Sequence, residues 1–115
     1  MKATIFHNPQ CGASRKTLGI LRDEGYDVRI REYLKNPPSR DELVRLYDRA
    51  GLTAREGLRA KEPLAGQLGL TRAVVSEDEV LDAMIRHPIL IERPIVIRGE
   101  RAVVARPPEK VLDLL

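Results

Sequence analysis

An α/β fold is predicted: a four-stranded mixed sheet flanked by helices in three layers, with a helical region inserted at about residues 39–86. Three observations point to it. The chain opens with strand-like, helix-like and strand-like segments in succession. Its middle carries three Ser/Thr-x-x-Glu signatures of helix starts. It closes with two β-branched runs around Arg98-Gly99-Glu100, followed by a Pro-Pro helix start. One sheet with short connections satisfies this order, and residues 1–115 are expected to form a single domain.

Lys2 to Phe6 reads as the first strand, and Asn8-Pro9-Gln10-Cys11-Gly12 as a tight loop. A helix is expected from near Ser14, with Leu18 and Leu21 on its buried stripe and Gly25 at a left-handed C-terminal cap. Tyr26, Val28 and Ile30 alternate with Asp27, Arg29 and Arg31, the period of a half-buried strand. Asn36-Pro37-Pro38 breaks the chain, and the box Ser39-Arg40-Asp41-Glu42 opens a helix to about Ala50. Thr53-Ala54-Arg55-Glu56 and Ser76-Glu77-Asp78-Glu79 are two further boxes. The last of them opens a helix with Val80, Leu81, Met84 and Ile85 on its apolar side. Ile95-Val96-Ile97 and Arg101 to Val104 form a hairpin, and Val111, Leu112 and Leu115 give the final helix its buried side. The element order fits a thioredoxin-like layout with an inserted helical region.

Composition narrows the function. No apolar run approaches the ~20 residues of a membrane-spanning helix, and the N-terminus has neither a long apolar segment nor a small-residue cleavage site. A soluble cytoplasmic chain that engages no membrane is expected. Trp is absent and aromatic residues are 3% of the chain, so the stacking platforms of single-strand nucleic-acid binders are missing and no nucleic-acid partner is expected. The net charge is only +3, but the basic residues are mostly arginine, whose planar donor fork suits tetrahedral oxyanions. One cysteine and two distant histidines make no recognisable metal-ligand set, so no metal is expected.

That single cysteine, Cys11, lies between the first strand and the first helix, where unpaired N–H groups converge and the helix dipole is positive. A thiolate is favoured there. Arg15 follows one helical turn later and His7 ends the incoming strand, so either can add positive charge. A lone cysteine is often buried and inert; the strand-loop-helix setting argues instead for a reactive one, and a free thiol suits a reducing compartment.

His7-Asn8-Pro9-Gln10-Cys11-Gly12-Ala13-Ser14-Arg15 resembles the active-site loop of the glutaredoxin-coupled arsenate reductases, which share a thioredoxin-like fold with a helical insert. Asn36 to Leu43, His87 to Val96 and Ala105 to Glu109 are similar to further family segments, in the expected order. The resemblance implies a cytoplasmic enzyme of arsenic resistance and detoxification, with Cys11 as nucleophile and Arg59, Arg93 and Arg106 holding the oxyanion. It further implies that His7 helps lower the thiol pKa, that Ser14 hydrogen-bonds near the sulfur, and that Pro94 follows a cis peptide bond beside the thiol. No bound cofactor is implied; glutathione is a co-substrate, glutaredoxin a partner, and the chain a monomer. Reduction of arsenate takes two electrons, and one cysteine supplies only one of the two thiols needed.

Two departures from the family pattern stand out. Many members continue beyond the position of Leu115, so the last helix is expected to be less well anchored. The stretch Glu62-Pro63-Leu64 is shorter than its counterpart in some members, which bears on the placement of Arg59.

Other readings remain open. A related thiol oxidoreductase could act on another substrate. An Spx-type RNA polymerase-binding regulator usually carries Cys-x-x-Cys, whereas here Ser14 stands three residues after Cys11. The phosphatase-like arsenate reductases need Cys-x5-Arg, and position 17 is Thr17.

Overall fold

Alternating apolar residues in the first strand and the last hairpin build the sheet of the computed structural model, which describes residues 1–115. β1 (Lys2–Phe6) runs parallel to β2 (Asp27–Arg31) and antiparallel to β3 (Ile95–Arg98), and β3 pairs antiparallel with β4 (Arg101–Val104). The order is β2-β1-β3-β4, the mixed four-stranded sheet expected. Ile5 faces Val96 across β1 and β3. Both join Ala3, Leu18, Leu21, Tyr26, Ala105, Val111 and Leu114 in one buried cluster, which sets α1 (Gly12–Asp23) and the C-terminal helix against the sheet. A Gly99-Glu100 hairpin loop joins β3 to β4, with Gly99 at φ 58, the left-handed conformation such a loop needs at its first position.

The elements of this unit, Met1–Asn36 with Arg93–Leu115, depart from the sequence expectations in three places. α1 begins at Gly12 rather than near Ser14: Cys11 is its N-cap, and the Arg15 N–H closes the first turn on the Cys11 carbonyl. β2 is a sheet edge, so Ile30 is 41% exposed where the alternation had placed it on a half-buried face. The final helix, Pro108–Leu114, is 3₁₀. Its period of three aligns Val111 with Leu114 and leaves Leu112 48% exposed, whereas a 3.6 period selects Val111, Leu112 and Leu115. This helix is also better held than expected. Arg98 and Arg101 donate to the carbonyls of Leu114 and Asp113, each at 3.1 Å, and Lys16 pairs with Glu109 at 2.9 Å.

Pro37–Glu92 forms a second unit. Ser39 and Glu42 make the expected reciprocal cap of α2 (Arg40–Ala50), and Ser76 caps α4 (Glu77–Arg86). α3 (Pro63–Gln67) is a short helix with proline in its first turn. Val80, Leu81 and Met84 are buried on α4, and Arg40 of α2 reaches Asp78 and Asp82 at 2.6 and 3.2 Å. The Thr53–Glu56 box forms its hydrogen bonds but starts no helix. Glycine follows at position 57, and a Cβ there would lie 2.4 Å from the Tyr47 ring. The chain instead extends, and Leu58 pairs antiparallel with Ile91 beside a 3₁₀ turn at Pro88–Leu90. The carboxylate of Glu77 accepts from the Ala54 and Arg55 N–H groups that a helix would have left open. No helix of the chain is long and apolar enough to cross a membrane.

Candidate active site

The loop from β1 to α1 is built around Asn8, which is buried. Its side-chain oxygen accepts from the Gln10 N–H at 3.0 Å, a local turn that Asn favours. Its carbonyl accepts from the Cys11 N–H at 2.9 Å, and its own N–H donates to Ser14 Oγ at 3.1 Å. Because the Cys11 N–H is engaged with Asn8, the sulfur draws on the next free amides of the helix start, those of Ser14 and Ala13.

Burial pushes the Cys11 thiol up, and this is the largest single influence on it. The Ser14 N–H, the hydrogen bond and charge of Arg93, and the Ala13 N–H act the other way, and together they carry the thiol below its ordinary value. Arg106 Nη1 lies 3.8 Å from Sγ and donates to the Arg93 carbonyl at 3.1 Å. Arg106 is thus within hydrogen-bonding reach of the sulfur, and Arg93 lowers the thiol pKa by hydrogen bond and charge. Both arginines precede cis-prolines, Pro94 and Pro107; the second of these bonds was not anticipated from sequence.

His7 and Arg15 take other places than beside the sulfur. His7 Nδ1 lies 2.6 Å from Ser14 Oγ, and burial pushes its pKa down, opposed by Glu32 and reinforced by Arg22 and Arg15. Burial thus favours the neutral imidazole, and its Nδ1 is engaged with Ser14. Arg15 folds back over the loop and donates to the Pro9 carbonyl at 2.8 Å. Arg59 belongs to the Pro37–Glu92 unit. There its Nη1 donates to Glu92 at 2.9 Å and its Nε lies 3.7 Å from Glu62. No cluster of three His, Cys, Asp or Glu side chains is arranged to hold a metal ion.

A lone thiol lowered by helix amides and an arginine, on a loop running from a first strand into a first helix, accompanies a family match over residues 6–114. The chain belongs to the ArsC family. An arsenate reductase of Rhizobium meliloti is 49% identical over the whole of this chain and 82% of its own length. One of Escherichia coli is 47% identical over 97% of this chain and 79% of its own. The structure of an arsenate reductase from Vibrio cholerae superposes with a TM-score of 0.95 at 44% identity, covering 100% of this chain and 98% of that one.

Within this ArsC-family chain, sequence reasoning overlooked Asn8 and Glu92. In sequence Asn8 carries only a turn signature. The signal for more was its spacing, since an Asn three residues before a helix-capping cysteine can serve both with side chain and with backbone. Glu92 adjoins Arg93 in sequence, but its pairing with Arg59 across 33 residues has no local signature.

Proposed function

We propose that this chain reduces arsenate to arsenite, with the Cys11 thiolate as nucleophile and Arg93, Arg106 and Arg59 as ligands of the oxyanion. Residues 1–115 act as one domain in which Pro37–Glu92 is an insert. The observation that carries this reading is the lowered Cys11 thiol beside two arginines, which supplies nucleophile and anion-binding charge at one point.

The Cys11 sulfur attacks arsenic and an oxygen leaves as water after protonation. Arginines that hold the remaining oxygens stabilise the charge redistributed in that step. A second thiolate, from glutathione, then forms an S–S bond with Cys11 as the S–As bond breaks. The bonding pair stays on arsenic, which becomes arsenite, and the two sulfurs are oxidised to a mixed disulfide. Glutaredoxin returns Cys11 to the thiol. With one cysteine in the chain, the second reducing thiol must come from outside, which is why glutathione and glutaredoxin complete the reaction. A cytoplasmic site of action suits a mechanism that depends on a free thiol.

The test is arsenate-dependent NADPH consumption in the presence of glutathione, glutaredoxin and glutathione reductase. The wild-type chain is expected to support it and Cys11→Ser to abolish it. Full turnover by the serine variant would remove Cys11 from the reaction. Activity toward another thiol substrate with none toward arsenate would favour the related oxidoreductase.

A further inference from the structure

We propose that Asn8 is a positioning residue for the nucleophile: its side-chain carbonyl fixes the loop from β1 to α1 so that the Ser14 and Ala13 amides, rather than the Cys11 amide, serve the sulfur. This role rests on the reading that Cys11 is the nucleophile.

The loop Asn8-Pro9-Gln10-Cys11 leaves few of its backbone groups open. The Cys11 N–H donates to the Asn8 carbonyl at 2.9 Å and closes a four-residue turn. Pro9 occupies the second position of that turn, where its fixed φ fits. The Gln10 N–H donates to Asn8 Oδ1 at 3.0 Å, so two successive amides end on one residue. Arg15 Nη1 donates to the Pro9 carbonyl at 2.8 Å. Gln10 and Arg15 lie open to solvent whereas Asn8 is 6% exposed, so the buried part of this lock is the Asn8 side chain.

The lock decides which donors reach the sulfur. Cys11 is the N-cap of α1 with an extended backbone, φ −94 and ψ 121, and an N-cap side chain is served by the second and third amides of its helix. Those belong to Ala13 and Ser14, the two amides that act on the thiol. No cap hydrogen bond to the Cys11 side chain is closed, so their effect depends on where the loop holds the sulfur. Asn8 governs both partners. Its carbonyl turns the Cys11 N–H away, and its N–H donates to Ser14 Oγ at 3.1 Å, holding the residue whose own amide serves the sulfur. His7 Nδ1 engages the same oxygen at 2.6 Å.

Arg93 and Arg106 reach the sulfur from outside this loop, and burial works against the thiolate throughout. A loop that lets the sulfur drift therefore loses amide stabilisation and keeps the cost of burial. Asn8→Ala deletes the Oδ1 bond and leaves the backbone N–H and carbonyl of residue 8 in place.

The experiment follows iodoacetamide alkylation of Cys11 against pH, thermal unfolding, and arsenate kcat/KM in wild type, Asn8→Ala, Asn8→Ser and Gln10→Ala, with Cys11→Ser as the blank. On the acid limb of the curve, alkylation of Asn8→Ala is expected to slow about two- to tenfold, the worth of one neutral hydrogen bond. The alkaline plateau should be unchanged, and arsenate kcat/KM at the same acid pH should fall by a similar factor. Serine offers a weaker acceptor for the same turn, so Asn8→Ser should lie between alanine and wild type. Gln10→Ala retains the N–H that Asn8 binds and should match wild type. If Asn8→Ala melts at a lower temperature while its alkylation curve stays in the wild-type position, Asn8 is a structural residue only and the proposal is overturned. Slowing by one factor at every pH overturns it too, because that reports access to the sulfur and not ionisation. Should the alanine variant not fold, Asn8→Ser carries the test, and a curve superimposed on wild type is the overturning result. Turnover retained in Cys11→Ser would instead remove the nucleophile reading itself.

Discussion

Replacing Arg93 with alanine removes a side chain that both hydrogen-bonds the Cys11 sulfur and lends it positive charge. A hydrogen bond to a charged group contributes about 1.5–3 kcal/mol, and one pKa unit corresponds to about 1.4 kcal/mol. The thiol pKa should therefore rise, and the thiolate fraction at neutral pH should fall by up to about a hundredfold. Burial, the largest influence on Cys11, already pushes the thiol up, so losing Arg93 leaves the Ser14 and Ala13 amides, with Arg106 at 3.8 Å, against it. The rate of iodoacetamide alkylation against pH, checked by thiolate absorbance in the ultraviolet, measures the change directly. Arg106→Ala is the internal control: at 3.8 Å from Sγ, its loss should move the inflection less. An unchanged inflection in Arg93→Ala, or a larger movement in Arg106→Ala, would refute the account of how this thiol is activated. The folded-state thiol pKa is lowered, so its stabilising contribution is complete above the unfolded-state value and is lost as pH falls through the folded one. The stability difference between wild type and Arg93→Ala should accordingly widen toward alkaline pH.

His7 has its pKa lowered by burial, so the unfolded chain binds the proton more readily and stability should fall as pH drops through the ordinary imidazole range; thermal unfolding of wild type should show this slope from about pH 7 to pH 5, and His7→Gln should flatten it. Gly57→Ala drives a Cβ into the Tyr47 ring and should destabilise the chain by about 1–3 kcal/mol in urea unfolding; the double variant with Tyr47→Leu should recover part of the loss. Leu114→Ala should cost about 2–5 kcal/mol, as for other buried leucines, whereas Leu112→Ala should stay within about 0.5 kcal/mol. Equal effects at the two leucines would contradict a 3₁₀ period in the last helix.

Local chemistry determined a good part of this protein from sequence alone. Ser39 and Glu42 specify a helix start because both partners of the cap lie within four residues. β1, the hairpin at Gly99 and the course of α4 follow from side-chain period and turn residues in the same way. Cys11 was legible as the reactive group because a strand-loop-helix junction exposes amides wherever it occurs. The arginines of the site were legible only through resemblance, since nothing in their spacing marks them apart from other surface cations.

Tertiary structure decided what depends on residues distant in the chain. The Thr53 box has the same local pattern as the Ser39 box, yet it closes only a single turn before Leu58 pairs with the distant Ile91. Val111 and Leu114, rather than Leu112, face inward because packing selected a tighter helix than sequence period implies. His7 sits on Ser14 rather than on the sulfur, and Arg93 and Arg106, more than eighty residues away in sequence, reach the thiol. Arg59 is held by a carboxylate 33 residues away. Short-range hydrogen bonding and periodicity are written in neighbouring residues, whereas burial, charge pairing and the protonation of a thiol arise from groups that only folding brings together.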